Sequence, residues 1–181
     1  MFEGILSQLA PILFGRVDAS DPRSLLEQPM RRRLLELIQS QPGIHASELA
    51  RESGEPWGTI QYHLSLLHRT SLVTSVEAGR ERRFFPAEVE PARARLLALL
   101  HQGRRGEIAQ YIRSHPGARQ VDICEALDVS RKTFRHSVAP LVEEGLVLER
   151  RGLQFNRYYA EPGLGELLPG EPAEAPAAAL N

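Results

Sequence analysis

The sequence predicts a mainly α fold with small β-hairpins, an α+β arrangement built from two tandem copies of one unit, and three observations predict it. The first is the stretch PWGTIQYHLSLLHRTSLV (residues 56–73), where Ile60, Leu64 and Leu67 recur at the spacing of one helix face. Thr59, Gln61, Tyr62, His63 and Arg69 are read as falling off that face. The second is the segment just beyond the helix: Leu72 and Val73 leave it, Ala78 and Gly79 make a turn, and an arginine-flanked strand, RERRFF, comes next. A helix with one free face and then a basic hairpin is the order of a winged helix-turn-helix. The third is repetition. Residues 25–73 align without a gap on residues 99–147 at an offset of 74, pairing Pro42-Gly43 with Pro116-Gly117, Thr59 with Thr133 and Leu72-Val73 with Leu146-Val147. The register continues through the hairpins, where Arg83 pairs with Arg157 and Phe84-Phe85 with Tyr158-Tyr159.

Taken in order, each unit starts with a helix, over residues 30–40 and 104–114, stopped by a Pro-Gly pair that cannot continue it. A short second helix comes next over 46–53 and 120–127, with Ser47 as a capping residue in the first. The third helix begins near Pro56, where a missing amide hydrogen does little harm, and at Ser130, a good N-cap. Pro140 falls inside the second copy of this helix and is expected to kink or shorten it. Hairpins over 72–77 with 83–85, and 146–150 with 157–160, close the units. Between them, PARARLLALLHQG reads as a connecting helix that feeds straight into the second unit, so the two are expected to hold a fixed relation. The domain reading is an amphipathic helix over 1–20, winged-helix domains over 21–88 and 89–161, and a disordered Ala/Pro/Glu tail over 162–181.

Composition bounds the function. The chain of 181 residues has a formal net charge of −1, but residues 91–160 sum to +5 while residues 161–181 sum to −4, so the basic part is local. The single cysteine, Cys124, excludes an intramolecular disulfide and a cysteine-rich metal site, in keeping with a cytoplasmic protein. No run approaches the roughly 20 apolar residues of a membrane span. The six histidines are scattered, and His63 with His68 lacks the spacing of a helical metal pair, so no cofactor is expected and the chain is not read as an enzyme.

The segment RRRLLELIQSQPGIHASELARESGEPWGTIQYHLSLL resembles the winged-helix transcriptional regulators of the MarR and ArsR superfamily, most closely the tandem forms of archaea and some bacteria. A GxHxxELA-like second helix there precedes a GTxxYHLxxLE-like recognition helix. The likeness covers residues 25–86 well and 99–160 less closely. It implies binding to double-stranded DNA, with the third helix in the major groove and the wing on the backbone or minor groove. The chain departs from the family at His68-Arg69-Thr70-Ser71, which replaces an acidic-glycine turn, and at Pro140.

Candidate DNA contacts fall on both units. In the second they are Arg131, Lys132, Thr133, Arg135 and His136 on the third helix, opposite a buried face of Phe134, Val138, Leu141 and Val142. In the first they are Thr59, Gln61, Tyr62 and His63. The wings contribute Arg80, Arg82 and Arg83, and Arg150, Arg151 and Arg157. Each set has a plainer reading: a solvated charged face, packing of Tyr62 and His63, or cross-strand pairing with Glu77 and Glu81. Arg31, Arg32 and Arg33 open the first helix against its dipole, which calls for an external anion or for pairing with Glu27 and Glu36. Cys124 is read as core packing. Residues 1–20 are apolar enough to need a partner, either the first unit or a second chain in a homodimer. The rival to a sequence-specific transcriptional regulator is a winged-helix scaffold for protein interactions, in chromosome organisation or complex assembly, without DNA reading.

Overall fold

The structure is a computed structural model, and it describes residues 26–79 and 81–168. The readings for residues 1–20, including a homodimer through them, for Arg80 and for residues 169–181 fall outside these. The chain divides into two compact units with the boundary between Ala94 and Arg95. The first holds helices α1 (Pro29–Ser40), α2 (Ala46–Ser53) and α3 (Trp57–Arg69), with strands β1 (Ile44–His45), β2 (Val73–Ala78) and β3 (Glu81–Pro86). Helix α4 (Pro91–Leu100) crosses the boundary. The second unit holds α5 (Arg105–Ser114), α6 (Gln120–Ala126), α7 (Arg131–Glu143) and α8 (Pro162–Leu167), with β4 (Ala118–Arg119), β5 (Val147–Arg150) and β6 (Arg157–Ala160). The fold is thus mixed α+β, with small antiparallel sheets beside helices.

The two sheets share one topology. Each is antiparallel with its last strand in the middle, in the orders β1-β3-β2 and β4-β6-β5. Ile44 faces Phe84 and His45 faces Arg83; Ala118 faces Tyr158 and Arg119 faces Arg157, each pair 74 residues from its counterpart. Helices α3 and α7 have the same length of 13 residues and start 74 apart. Left-handed backbone falls at matching places. Ser71 (φ 55°) matches Gly145 (φ 68°), so the serine that replaces the expected glycine takes on the strained conformation itself.

Each unit is closed by an apolar cluster drawn from all its layers. In the first, Leu34 and Ile38 of α1, Leu49 of α2, Ile60, Leu64 and Leu67 of α3, and Val73 and Phe84 of the hairpin are buried together. In the second, Ile108 and Ile112 of α5, Ile123 of α6, Phe134, Val138 and Leu141 of α7, and Tyr158 of β6 do the same. At about 1.5–3 kcal/mol for each fully buried aliphatic side chain, these clusters dominate the cohesion of units that have no disulfide.

The structure corrects several readings. The first strand of each sheet is two residues long and was not anticipated. The N-cap of α2 is His45, not Ser47: its Nδ1 accepts from the Ser47 amide at 3.2 Å, and Glu48 accepts from the His45 amide at 3.0 Å, closing a capping box. Pro140 does not shorten α7, because it lies in the last turn and leaves the helix ending at Glu143. Helix α4 does not run straight on; Gly103 at φ 55° breaks the chain before α5. The tail is not wholly without structure: α8 forms over Pro162–Leu167 and inserts a fully buried Leu164 into the second cluster. Finally, two of the three arginines that open α1, Arg32 and Arg33, find partners within the chain, while Nε and Nη1 of Arg31 are buried without a hydrogen-bond partner among the described residues. Arg32 donates to the Leu26 carbonyl at 3.0 and 3.2 Å, Arg33 caps the end of α2 at the Glu52 carbonyl at 3.0 Å, and Arg31 is buried. Arg32 and Arg33 are thus accounted for by backbone carbonyls rather than by Glu27 or Glu36.

Candidate nucleic-acid interface

Helix α7 presents the better-defined candidate surface. Ser130 caps it, its Oγ accepting from the Thr133 amide at 3.0 Å and lying 2.8 Å from the Thr133 hydroxyl. One face, Phe134, Ser137, Val138 and Leu141, is buried. Arg131, Lys132, Thr133, Arg135 and His136 are all exposed on the remainder. Thr133 is therefore occupied by the cap, while the basic groups lie around the positive end of the helix.

Helix α3 presents a different surface. Gln61 is exposed and Thr59 and Tyr62 are half-buried. His63 is not a surface residue as expected: it is 1 % exposed, on the side of α3 that packs toward α1, with Arg31 only 5 % exposed nearby. Burial, and secondarily the Arg31 charge, push its imidazole pKa down to about 4. The reading of His63 as a base contact is corrected on this ground. Trp57, at the first position of α3, is 48 % exposed and was overlooked.

The hairpins differ too. In the first, Arg82 pairs with Glu77 at 2.9 Å and Arg83 with Glu81 at 2.8 Å, so each cation has an acidic neighbour. Arg83 is mostly buried, its side chain 12 % exposed, and Nη1 donates to the Gly43 carbonyl at 2.9 Å. Arg157 repeats this, donating from Nη1 to the Gly117 carbonyl at 3.0 Å. Both arginines fasten the central strand to the Pro-Gly turn, a structural duty that their sequence pairing did not reveal. Arg83→Ala is expected to lower the stability of the first unit by about 1–2 kcal/mol in urea unfolding, because a charged hydrogen bond is lost. An unchanged midpoint would show that the bond contributes nothing. In the second hairpin, Arg150 lies over the Tyr159 ring at 4.9 Å and Arg151 is exposed. The tip also exposes Leu153 and Phe155, which sequence reasoning left in an unassigned loop.

The remaining groups hold the site in place. Arg119 grips Asp122 through two bonds, at 3.0 and 2.7 Å, and keeps that carboxyl near about 2. Tyr158 donates to Glu149 at 2.8 Å, and burial with this bond pushes its phenol well up. Cys124 is half-buried against the second cluster, and desolvation raises its thiol, which fits packing.

Residues 28–97 match the HTH_HVO_0163_N family, described as an N-terminal HTH domain. The first unit is thus similar to a helix-turn-helix domain. The match includes α1 to α3, the first hairpin and most of α4. The chain is also similar to a protein of Methanocaldococcus jannaschii named as an uncharacterized HTH-type transcriptional regulator, 26% identical over 149 residues, or 81% of this chain. The alignment spans 38% of that relative's length. Among the described residues no helix is long and apolar enough to cross a membrane.

Proposed function

We propose that the protein is a sequence-specific regulator of transcription that binds double-stranded DNA through two tandem winged helix-turn-helix domains of the MarR/ArsR-like type. Both third helices, α3 and α7, enter the major groove, and the wings rest on the backbone. The observation that carries this reading is the outward face of α7, where Arg131, Lys132, Arg135 and His136 are exposed together over a buried, mainly apolar seat. Arg131 and Arg135 have the planar fork that reads guanine or grips phosphate, and Lys132 supplies a point charge. The helix-turn-helix match of the first unit and the name of the archaeal relative support it. In the first unit the reading groups are Thr59, Gln61 and Tyr62, with Arg82 near the backbone.

Binding to mixed-sequence duplex DNA across a salt series tests the reading. Wild type is expected to bind with a steep salt dependence. Replacing Arg131, Lys132 and Arg135 with alanine is expected to flatten the log–log slope by about 2 to 3, since each lost phosphate contact removes about 0.9. Absence of binding at low salt would overturn the proposal in favour of a scaffold that docks proteins.

A further inference from the structure

The tip of the second hairpin is built unlike that of the first. Strands β2 and β3 are joined by only two residues, Gly79 and Arg80, whereas β5 and β6 are joined by six, residues 151–156, RGLQFN. The longer tip is not slack. The Gly152 amide donates to the Phe155 carbonyl at 3.1 Å, leaving Leu153 and Gln154 as the apex of a closed turn. A Cβ on Gly152 would sit 2.5 Å from that carbonyl oxygen, so only glycine permits this closure. Phe155 is braced from the body of the unit: the Arg119 guanidinium, itself held by Asp122, lies 5.6 Å from its ring centroid. At the apex Leu153 is fully exposed, and Phe155 is more than half exposed.

Charge says what such an apex meets. Residues 150–157 contain Arg150, Arg151 and Arg157 and no acidic residue. The carboxylate next to this run in sequence, Glu149, accepts from Asn156 at 2.7 Å and from Tyr158 at 2.8 Å, while Asp122 is held by Arg119. An apolar point preceded in the chain by exposed Arg150 and Arg151 is repelled by a basic protein surface. It is matched by a narrow polyanionic groove with an apolar floor between stacked bases. The closed turn presents Leu153 already ordered, which lowers the entropic cost of inserting it.

We propose that the apex of the second wing, Leu153 braced by Phe155, wedges between base pairs from the minor groove and kinks the duplex, while Arg150 and Arg151 hold the flanking phosphates. The inference rests on the duplex-binding reading above and adds to it a deformation of the DNA. Leu153 is fully exposed, so its truncation leaves the core intact and Leu153→Ala is expected to fold as wild type does.

The test uses the full chain and a mixed-sequence duplex carrying 2-aminopurine in place of adenine at several TA steps, with a dye at each end. Wild type is expected to raise the 2-aminopurine fluorescence and bring the dyes together at saturation. Leu153→Ala is expected to lose both signals and to bind about tenfold more weakly, with the salt slope unchanged. Leu153→Phe is expected to restore both. The variant with Arg131, Lys132 and Arg135 as alanine is expected to bind with a flatter salt slope and to keep the bend once saturated. Wild-type binding without bending, or bending that survives Leu153→Ala, would overturn the wedge and leave the regulator reading standing. No binding by wild type at low salt would overturn both.

Discussion

Phe134→Ala is expected to destabilise the second unit by about 3–5 kcal/mol, the largest effect of any single substitution considered for it. The ring is fully buried at the centre of α7's inner face and meets Tyr158 edge-on, with centroids 5.1 Å apart at 75°. It shares its cluster with Ile108, Ile112 and Ile123, all fully buried, and close packing there leaves little room to relax into the space a phenyl group leaves. A domain of this size has about 5–15 kcal/mol of stability in total, and the substitution removes a large share of it. Urea unfolding should show a lower midpoint with an unchanged slope. The equivalent position in the first unit, 74 residues earlier, is Ile60, also fully buried. Ile60→Val should cost only about 0.5–1.5 kcal/mol, because one methylene is removed. A loss below about 1 kcal/mol for Phe134→Ala would mean that the second core is not organised around this ring.

The second large effect is a loss of stability in mild acid that originates in His63. Its folded-state pKa is about 4 against an ordinary value of 6.5, because burial and the neighbouring Arg31 both disfavour the imidazolium. The unfolded chain therefore takes up a proton below about 6.5 that the folded chain refuses. The contribution of neutral His63 is fully present above pH 6.5 and is lost as pH falls from 6.5 to about 4. Over that window the loss amounts to about 3 kcal/mol. His63→Gln cannot titrate and should flatten the dependence of the first unit's unfolding midpoint on pH across the window. Equal acid sensitivity in the two proteins would show that other groups govern it.

How far the chain could be read from its sequence depended on the length and the purity of each signal. Helices α3 and α7 were legible because Ile60, Leu64 and Leu67, and Phe134, Val138 and Leu141, recur over several turns. His63 was misplaced because polarity was taken for exposure, although its position three residues after Ile60 and four before Leu67 lies in the middle of the apolar stripe. Strands of two residues, such as β1 and β4, are too short to carry any alternation. In α8 a single anchor, Leu164, was hidden in a composition rich in Gly, Pro and Glu. Arg83 and Arg157 were visible as a pair in the alignment. Their bonds to Gly43 and Gly117, 40 residues away in each case, depend on a turn that folds back beside the central strand. The exposed face of α7 was legible because no acidic residue interrupts it before Glu143.

The matched registers of the two sheets carry a hazard during folding. A chain that contains the same unit twice can dock a helix of one copy on the partner meant for the other, a frequent failure of repeated domains. Backbone pairing offers no protection, since β1 would fit β6 as well as β4 does. The helix seams do discriminate. The first unit buries Arg31 and His63 across α1 and α3, whereas the positions 74 residues later hold Arg105 and a buried Ser137. A swapped α3 would bring its imidazole to a seam shaped for a hydroxymethyl group, and a swapped α7 would leave Arg31 facing a void. The divergence of these buried polar groups therefore serves as an address that returns each third helix to its own half of the chain.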